Sequence, residues 1–193
     1  TNRSNALIET VSQEFLPQHL RVRSKKKVAM FTDTYDEVNG VAVIIKQMAE
    51  EARKTESEML VIKSGPEKDY QQANIVHFHS IAEVQVPEYP ETVLHFPSIL
   101  DILDWCEQQD FTSIHAATPG TMGLIGLLVA KILHLPFVGT YHTELTDYAR
   151  YLTGSDSVAK AAAKAAKWFY GKMDMVFAPS EASRMNLIDH GLD

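Results

Sequence analysis

The sequence contains very little cysteine, with Cys106 as the one example among 193 residues. A single cysteine cannot form a disulfide within its own chain, which is typical of proteins from a reducing compartment. Long apolar runs are lacking as well, because the longest, residues 122–130, is shorter than the roughly 20 residues of a membrane-spanning helix. The first residues also lack the basic start and apolar core of a signal peptide. Together these absences favour a cytoplasmic protein.

Positive charge is in deficit, since 18 Lys and Arg face 25 Asp and Glu, for a net charge of −7. An acidic surface repels a phosphate backbone, so we expect no nucleic-acid partner. Basic side chains concentrate in residues 21–27 and, at helical spacing, at Lys160, Lys164 and Lys167. Such groups attract anionic lipid modestly, which predicts at most a weak contact with the inner face of the membrane.

The composition is that of a globular protein, with 45% hydrophobic and 22% charged residues, and the length suits one domain. Residues 1–24 stand apart, because a short apolar helix pattern there ends at Pro17 and is followed by basic residues. We interpret residues 1–24 as an N-terminal extension with a short helix. Residues 25–193 form the domain proper.

Strand and helix patterns alternate along this domain. Short apolar runs predict strands at 28–32, 59–63, 75–78, 113–116, 136–141 and 175–177. Amphipathic patterns predict helices at 38–53, 98–107, 122–133, 158–168 and 181–189. Three prolines predict an extended loop over residues 84–97. Strands with little inside–outside alternation are covered on both faces, so the fold class is α/β, a Rossmann-like three-layer sandwich with a mostly parallel sheet.

Neither the G-x-G-x-x-G pattern of dinucleotide sites nor the P-loop pattern is present. In parallel sheets ligands bind beyond the carboxyl ends of the strands, which directs attention to the segments that follow each strand. These segments are residues 32–40, 79–90, 117–121, 141–148 and 179–182.

The strand ends offer several candidate groups, each with a structural alternative. Asn39 and Gly40 either cap a helix or let backbone N–H groups approach an anion. Thr118 can cap the next helix and Pro119 suits its first position, which is a sufficient structural explanation. His142 is either a core histidine or a hydrogen-bond donor to a sugar or a developing charge. His77 and His79 share a strand face, but no third metal ligand is obvious.

Taken together, these strand ends resemble glycosyltransferase family 4, the group 1 glycosyltransferases of GT-B fold. The matching stretches are residues 31–34 with 38–41, 114–120, 139–144 with Tyr148, 178–182 and Gly191. Their order and spacing, from about Lys27 to the end, make the resemblance specific. The chain looks most like members that attach sugars to lipids.

The resemblance implies two Rossmann-like domains facing a cleft, one for the acceptor and one, C-terminal, for the nucleotide-sugar. This chain would be the N-terminal, acceptor-side half, with the donor domain absent from it. The implied enzyme is a retaining transferase that moves a hexosyl group from a nucleotide-sugar donor to a lipid or glycan acceptor, and the fragment alone is expected to be inactive. The nucleotide-sugar is a substrate, so no cofactor is implied, and no catalytic metal.

The resemblance also implies roles for individual residues. Asn39 and Gly40 would approach the donor diphosphate, and His142 would contact the transferred sugar as the catalytic residue. The acceptor-side residues would be Pro119, Gly120, Thr143, Glu144 and Tyr148. Asp36 and Glu37 adjoin the donor loop, where carboxylates repel a diphosphate unless they point away.

Two other functions share parts of this pattern. An NDP-sugar epimerase or hydrolase has the same two-domain architecture, and the sequence of the second domain would distinguish it. A non-catalytic, flavodoxin-like binding module would need a loop rich in Gly, Ser or Thr after the first strand, and Asp36 and Glu37 argue against it.

Overall fold

The computed structural model describes residues 26–65, 73–86, 89–142, 156–189 and 191–192, so the predicted extension at 1–24 lies outside the described residues. The strands are β1 (Lys27–Thr32), β2 (Glu58–Ser64), β3 (Ile75–Phe78), β4 (Ser80–Val86), β5 (Tyr89–Pro97), β6 (Ser113–Ala116), β7 (Phe137–Thr140) and β8 (Met175–Phe177). The helices are α1 (Gly40–Lys54), α2 (Ile99–Gln108), α3 (Thr121–Ile132), α4 (Asp156–Tyr170) and α5 (Glu181–Asp189). None of the described helices is long and apolar enough to cross a membrane.

Six strands form one sheet in the order β3-β2-β1-β6-β7-β8, and every neighbouring pair is parallel. Both faces of this sheet are covered. Ala29 and Phe31 of β1 belong to the larger apolar core, whereas Met30 between them belongs to a second core on the other face. The two cores explain why the strands are apolar without alternation, and they confirm the predicted α/β sandwich.

The order in which strands are added to the sheet reverses between β1 and β6, although all six strands run in the same direction. From β1 the chain proceeds outward to β2 and β3, and it then returns to place β6 on the opposite side of β1. The loops after these two neighbouring strands therefore diverge, which leaves a crevice at their carboxyl ends. The fold thus places its natural ligand site between the segment after Thr32 and the segment after Ala116.

The prediction of a loop over residues 84–97 is wrong. Strands β4 and β5 form an antiparallel hairpin that pairs Ala82 with Phe96 and Val84 with Leu94. Pro97 is the last residue of β5 and pairs with Ser80 at the end of the ladder, and a two-stranded sheet tolerates proline at such an edge position. The alternation of apolar and polar residues in this segment therefore outweighs its prolines.

Candidate functional site

A cleft of about 190 Å³ opens at the switch point between β1 and β6. Its walls come from the loop after β1, the end of β2, the hairpin strand β5 and the loop before α3. The lining residues are Asp33, Thr34, Glu37, Ser64, Val93, Leu94, His95, Thr118, Gly120 and Met122. Two carboxylates, a histidine and hydroxyl groups stand in this cleft beside the apolar side chains of Val93, Leu94 and Met122.

Asp33 joins the two loops that form the cleft. Its carboxylate accepts hydrogen bonds from Thr118 Oγ1 and from the backbone N–H of Met122, each at 2.8 Å. Burial raises the pKa of Asp33, and these hydrogen bonds oppose the rise because they favour the charged form. The carboxylate also faces the positive end of the α3 dipole, so Asp33 caps a helix to which it is not adjacent in sequence.

The start of α3 differs from the sequence prediction. The helix begins at Thr121, its N-cap is Gly120, and Pro119 precedes it. The Thr118 hydroxyl donates to Asp33 and accepts from the Asp33 N–H at 3.1 Å, so it does not cap the helix itself. A Cβ at Gly120 would collide with the Asp33 carboxylate, which makes glycine a packing requirement there.

Asp36 and Glu37 are held by neighbouring side chains. Asp36 forms an ion pair with Lys63, a lysine of β2 that is only 1% exposed. Glu37 Oε2 accepts a hydrogen bond from Asn39 Nδ2 at 2.6 Å. Burial raises the pKa of Glu37, the charge of Asp33 raises it further, and the Asn39 hydrogen bond lowers it. One carboxylate is thus directed inward, and the other is tethered beside the cleft.

Asn39 and Gly40 form the N-terminus of α1. The Asn39 side chain accepts a hydrogen bond from the Ala42 N–H at 2.8 Å, which is an N-cap. A Cβ on Gly40 would have no atom within 4 Å, and the preceding Val38 is fully exposed. Packing among the described residues therefore does not require glycine at position 40, and the helix begins beside open space.

His142 follows β7 at the same edge of the sheet and is half-buried. Desolvation lowers its pKa, so the imidazole is neutral near pH 7 and retains one N–H donor. Its neighbour on β6 is His115, which lies 3.0 Å from Thr140 Oγ1 through Nε2 and stacks on Phe177. Burial, with a smaller contribution from His142, lowers the pKa of His115 to about 4.

The predicted site residues are distributed along one edge of the sheet. Gly120 lines the cleft, whereas Asn39, Gly40 and His142 follow β1 and β7 outside the described lining. Pro119 borders an apolar groove next to the cleft. The predicted acceptor-side residues Thr143, Glu144 and Tyr148 lie outside the described residues, so their roles stay predictions.

Sequence reasoning missed Asp33, Glu37 and His95 as site residues. Asp33 is the first residue after a buried strand, so the strand-end rule already pointed to its segment. His95 could not be placed because its hairpin was taken for a loop. In the structure its Nδ1 lies 3.2 Å from Ser80 Oγ and 3.1 Å from Glu83 Oε1.

Comparison with known proteins supplies the family context. The model of Glycosyltransferase Family 4 matches residues 38–193. An alpha-monoglucosyldiacylglycerol synthase of Streptococcus pneumoniae is 28% identical over 169 residues, which cover 85% of this chain and 37% of that protein. A GDP-mannose-dependent alpha-mannosyltransferase of Mycobacterium tuberculosis is 27% identical over 174 residues, covering 86% and 45%. The chain thus spans less than half the length of either relative.

Among solved structures, a Listeria monocytogenes protein described as a UDP-N-acetylglucosamine 2-epimerase superposes with a TM-score of 0.50 at 12% identity. The match covers 89% of this chain and 44% of that one. At this identity the likeness concerns the fold alone.

Proposed function

The chain belongs to glycosyltransferase family 4, and from this premise we propose that it is the acceptor-side domain of a retaining glycosyltransferase. The enzyme moves a hexosyl group from a nucleotide-sugar to a lipid or glycan acceptor. The observation that carries the proposal is the open N-terminus of α1 at Gly40, which adjoins a polar cleft at the switch point of the sheet.

The donor diphosphate is the group that the end of α1 suits best. The first N–H groups of a helix lack intrahelical partners, and the helix dipole favours negative charge there. Because Gly40 carries no Cβ and has open space beside it, an anion can approach the backbone closely. The repulsion expected from Asp36 is reduced, since its carboxylate pairs with Lys63. The carboxylate of Glu37 is held on Asn39, and its raised pKa means that burial and Asp33 disfavour its charged form. The loop can therefore contact a diphosphate held on its other side by a second domain.

His142 acts on the transferred sugar. A neutral imidazole can donate a hydrogen bond to a sugar oxygen. A protonated imidazolium would also attract the diphosphate, and this attraction would compete with the contact to the sugar. Charge separates as the glycosidic bond breaks, so a donor placed there stabilises the transition state more than the ground state. Its half-buried position lowers the local dielectric and strengthens that hydrogen bond.

The acceptor hydroxyl group occupies the cleft. Asp33 and Glu37 offer carboxylate oxygens, which accept hydrogen bonds from hydroxyl groups. Thr34 also lines the cleft, and its hydroxyl oxygen is buried without a hydrogen-bond partner in the described part of the chain. A bound hydroxyl group of the acceptor would give the Thr34 hydroxyl a hydrogen-bond partner.

Sugar transfer by the full-length protein tests the proposal. We expect transfer from one of a panel of nucleotide-sugars to a lipid or glycan acceptor, with the anomeric configuration retained as measured by NMR. The 193-residue chain alone should show no turnover, because a donor must be positioned from two sides before it reacts. Inverted product, or robust turnover by this chain alone, would contradict the proposal.

Replacing Gly40 tests the donor contact. Gly40→Ala adds a Cβ into open space in a helix, so the free energy of unfolding should rise by about 0.5–1 kcal/mol. The same Cβ would separate the backbone from the diphosphate, and we expect the KM for the donor to rise roughly tenfold, equivalent to about 1.4 kcal/mol.

Val43→Ala is the matched control, because Val43 is an exposed residue of the same helix. It should leave the KM for the donor unchanged. If Gly40→Ala also leaves it unchanged, the loop does not contact the donor.

A further inference from the structure

An apolar groove of about 820 Å³ adjoins the polar cleft. Its walls are the hairpin β4–β5, the start of α2, which directly follows β5, and the outer face of α3. The side chains that dominate it are Leu94, Phe96, Leu100, Leu124 and Leu128. No charged residue is among the described residues that line it.

The groove exposes large apolar side chains together. Leu100 is 74% exposed, and Leu124 and Leu128 are 46% and 41% exposed. Single exposed apolar residues are ordinary on a protein surface, but a contiguous patch from converging elements marks a binding surface. Since no charged side chain of the described lining faces the groove, its occupant there must be apolar.

The groove and the polar cleft are continuous. Leu94 and Gly120 line both of them, so a ligand can pass from one to the other without leaving the surface. The cleft end offers Asp33 and Glu37 to a hydroxyl group, whereas the groove end offers hydrocarbon. A free glycan would leave the apolar walls exposed to water. A purely apolar molecule would offer no hydrogen bond to Thr34 Oγ1, which is buried in the cleft without a partner among the described residues.

We propose that the groove holds the hydrocarbon tail of the acceptor, whose hydroxyl group lies in the cleft. The acceptor is then a lipid. This inference rests on the proposed function, because it names the acceptor class of the same site. Burial of a methylene group favours binding by at most about fourfold, so affinity for the acceptor rises with the length of its alkyl chain.

The test is a chain-length series with the full-length protein. Acceptors share one hydroxyl-bearing head and carry alkyl chains of increasing length, each used below its critical micelle concentration. We expect kcat/KM to rise at least about a hundredfold from the shortest to the longest chain. Leu128→Trp fills the groove and should reduce this rise at least tenfold.

Ile132→Trp provides the matched control. Ile132 lies one turn further along α3, is 47% exposed and is outside the described groove lining. This variant should retain the chain-length dependence of the unmodified protein. If Leu128→Trp lowers the melting temperature strongly, Leu100→Gln replaces it, because Leu100 is the more exposed side chain.

The outcomes separate the two proposals. Transfer to soluble acceptors with no chain-length dependence leaves the proposed function intact and overturns the lipid inference. If no acceptor receives sugar, the proposed function fails. Photolabelling with an alkyl glycoside that carries a diazirine then tests whether the groove binds an alkyl chain. Labelled peptides spanning 94–100 and 121–132 would support the groove, and labels elsewhere would overturn it. If Leu128→Trp weakens only vesicle binding, the groove contacts a bilayer and the inference is wrong.

Discussion

His142→Ala in the full-length enzyme should lower kcat by roughly 10²–10³, because it removes a hydrogen-bond donor that acts on the transition state. That factor corresponds to about 2.7–4 kcal/mol of lost transition-state stabilisation. The KM for the donor should change little, since the hydrogen bond strengthens only as the glycosidic bond breaks. Steady-state kinetics with saturating donor and acceptor measure the effect.

The same variant should fold normally. His142 is half-buried, and the structure shows no hydrogen bond from its imidazole to the residues it describes, so truncation leaves no described group without its partner. A large fall in melting temperature with near-normal kcat would instead identify a purely structural histidine. His134→Asn is the control, because His134 has φ 52°, which asparagine tolerates, and lies before β7 at the opposite edge of the sheet.

Asp36→Ala should cost about 3–5 kcal/mol of unfolding free energy, the largest stability effect that we expect in this chain. The side chain of Lys63 is only 2% exposed and that of Asp36 17%, so the loss of Asp36 removes a carboxylate that faces a buried ammonium. Desolvation makes such a charge far more costly than one at the surface. Chemical denaturation monitored by circular dichroism measures the change.

A double-mutant cycle separates the ion pair from other effects. Asp36→Ala combined with Lys63→Met should recover most of the lost stability, because an apolar side chain of similar length replaces the buried charge. Glu51→Ala serves as the surface control, since the Glu51–Lys54 pair has side chains that are 65% and 55% exposed. If Glu51→Ala destabilises as much as Asp36→Ala, burial is not the cause.

The strands of the main sheet could be predicted from sequence because their physics is local. A run such as Val28-Ala29-Met30-Phe31 is apolar throughout, and burial on both faces requires that pattern wherever the strand lies. The hairpin β4–β5 was missed because its prolines were interpreted as the signal of a loop. Prolines are a strong local signal, but whether they break a strand depends on which edge their missing N–H faces.

The site was predictable only in part. Asn39 and Gly40 follow a strand, and the rule for parallel sheets identifies such positions without tertiary information. The ion pair of Lys63 depends on how deeply β2 is buried, and Asp33 caps α3 across 89 residues of sequence. The groove requires β5, α2 and α3 to converge. Contacts of this kind arise from packing, which a pattern along the chain does not contain.

The hydrogen bond between Thr118 and Asp33 has a consequence for the order of folding. It joins residues 85 positions apart, so the floor of the cleft forms only after β6 has paired with β1. At about 5–20 residues per second, synthesis separates these two segments by roughly 4–17 s. During that interval Asp33 has neither Thr118 nor the α3 N-terminus as a partner. The ligand site can therefore acquire its native geometry only well after the β1 segment has left the ribosome, once residues 118–122 have been synthesised.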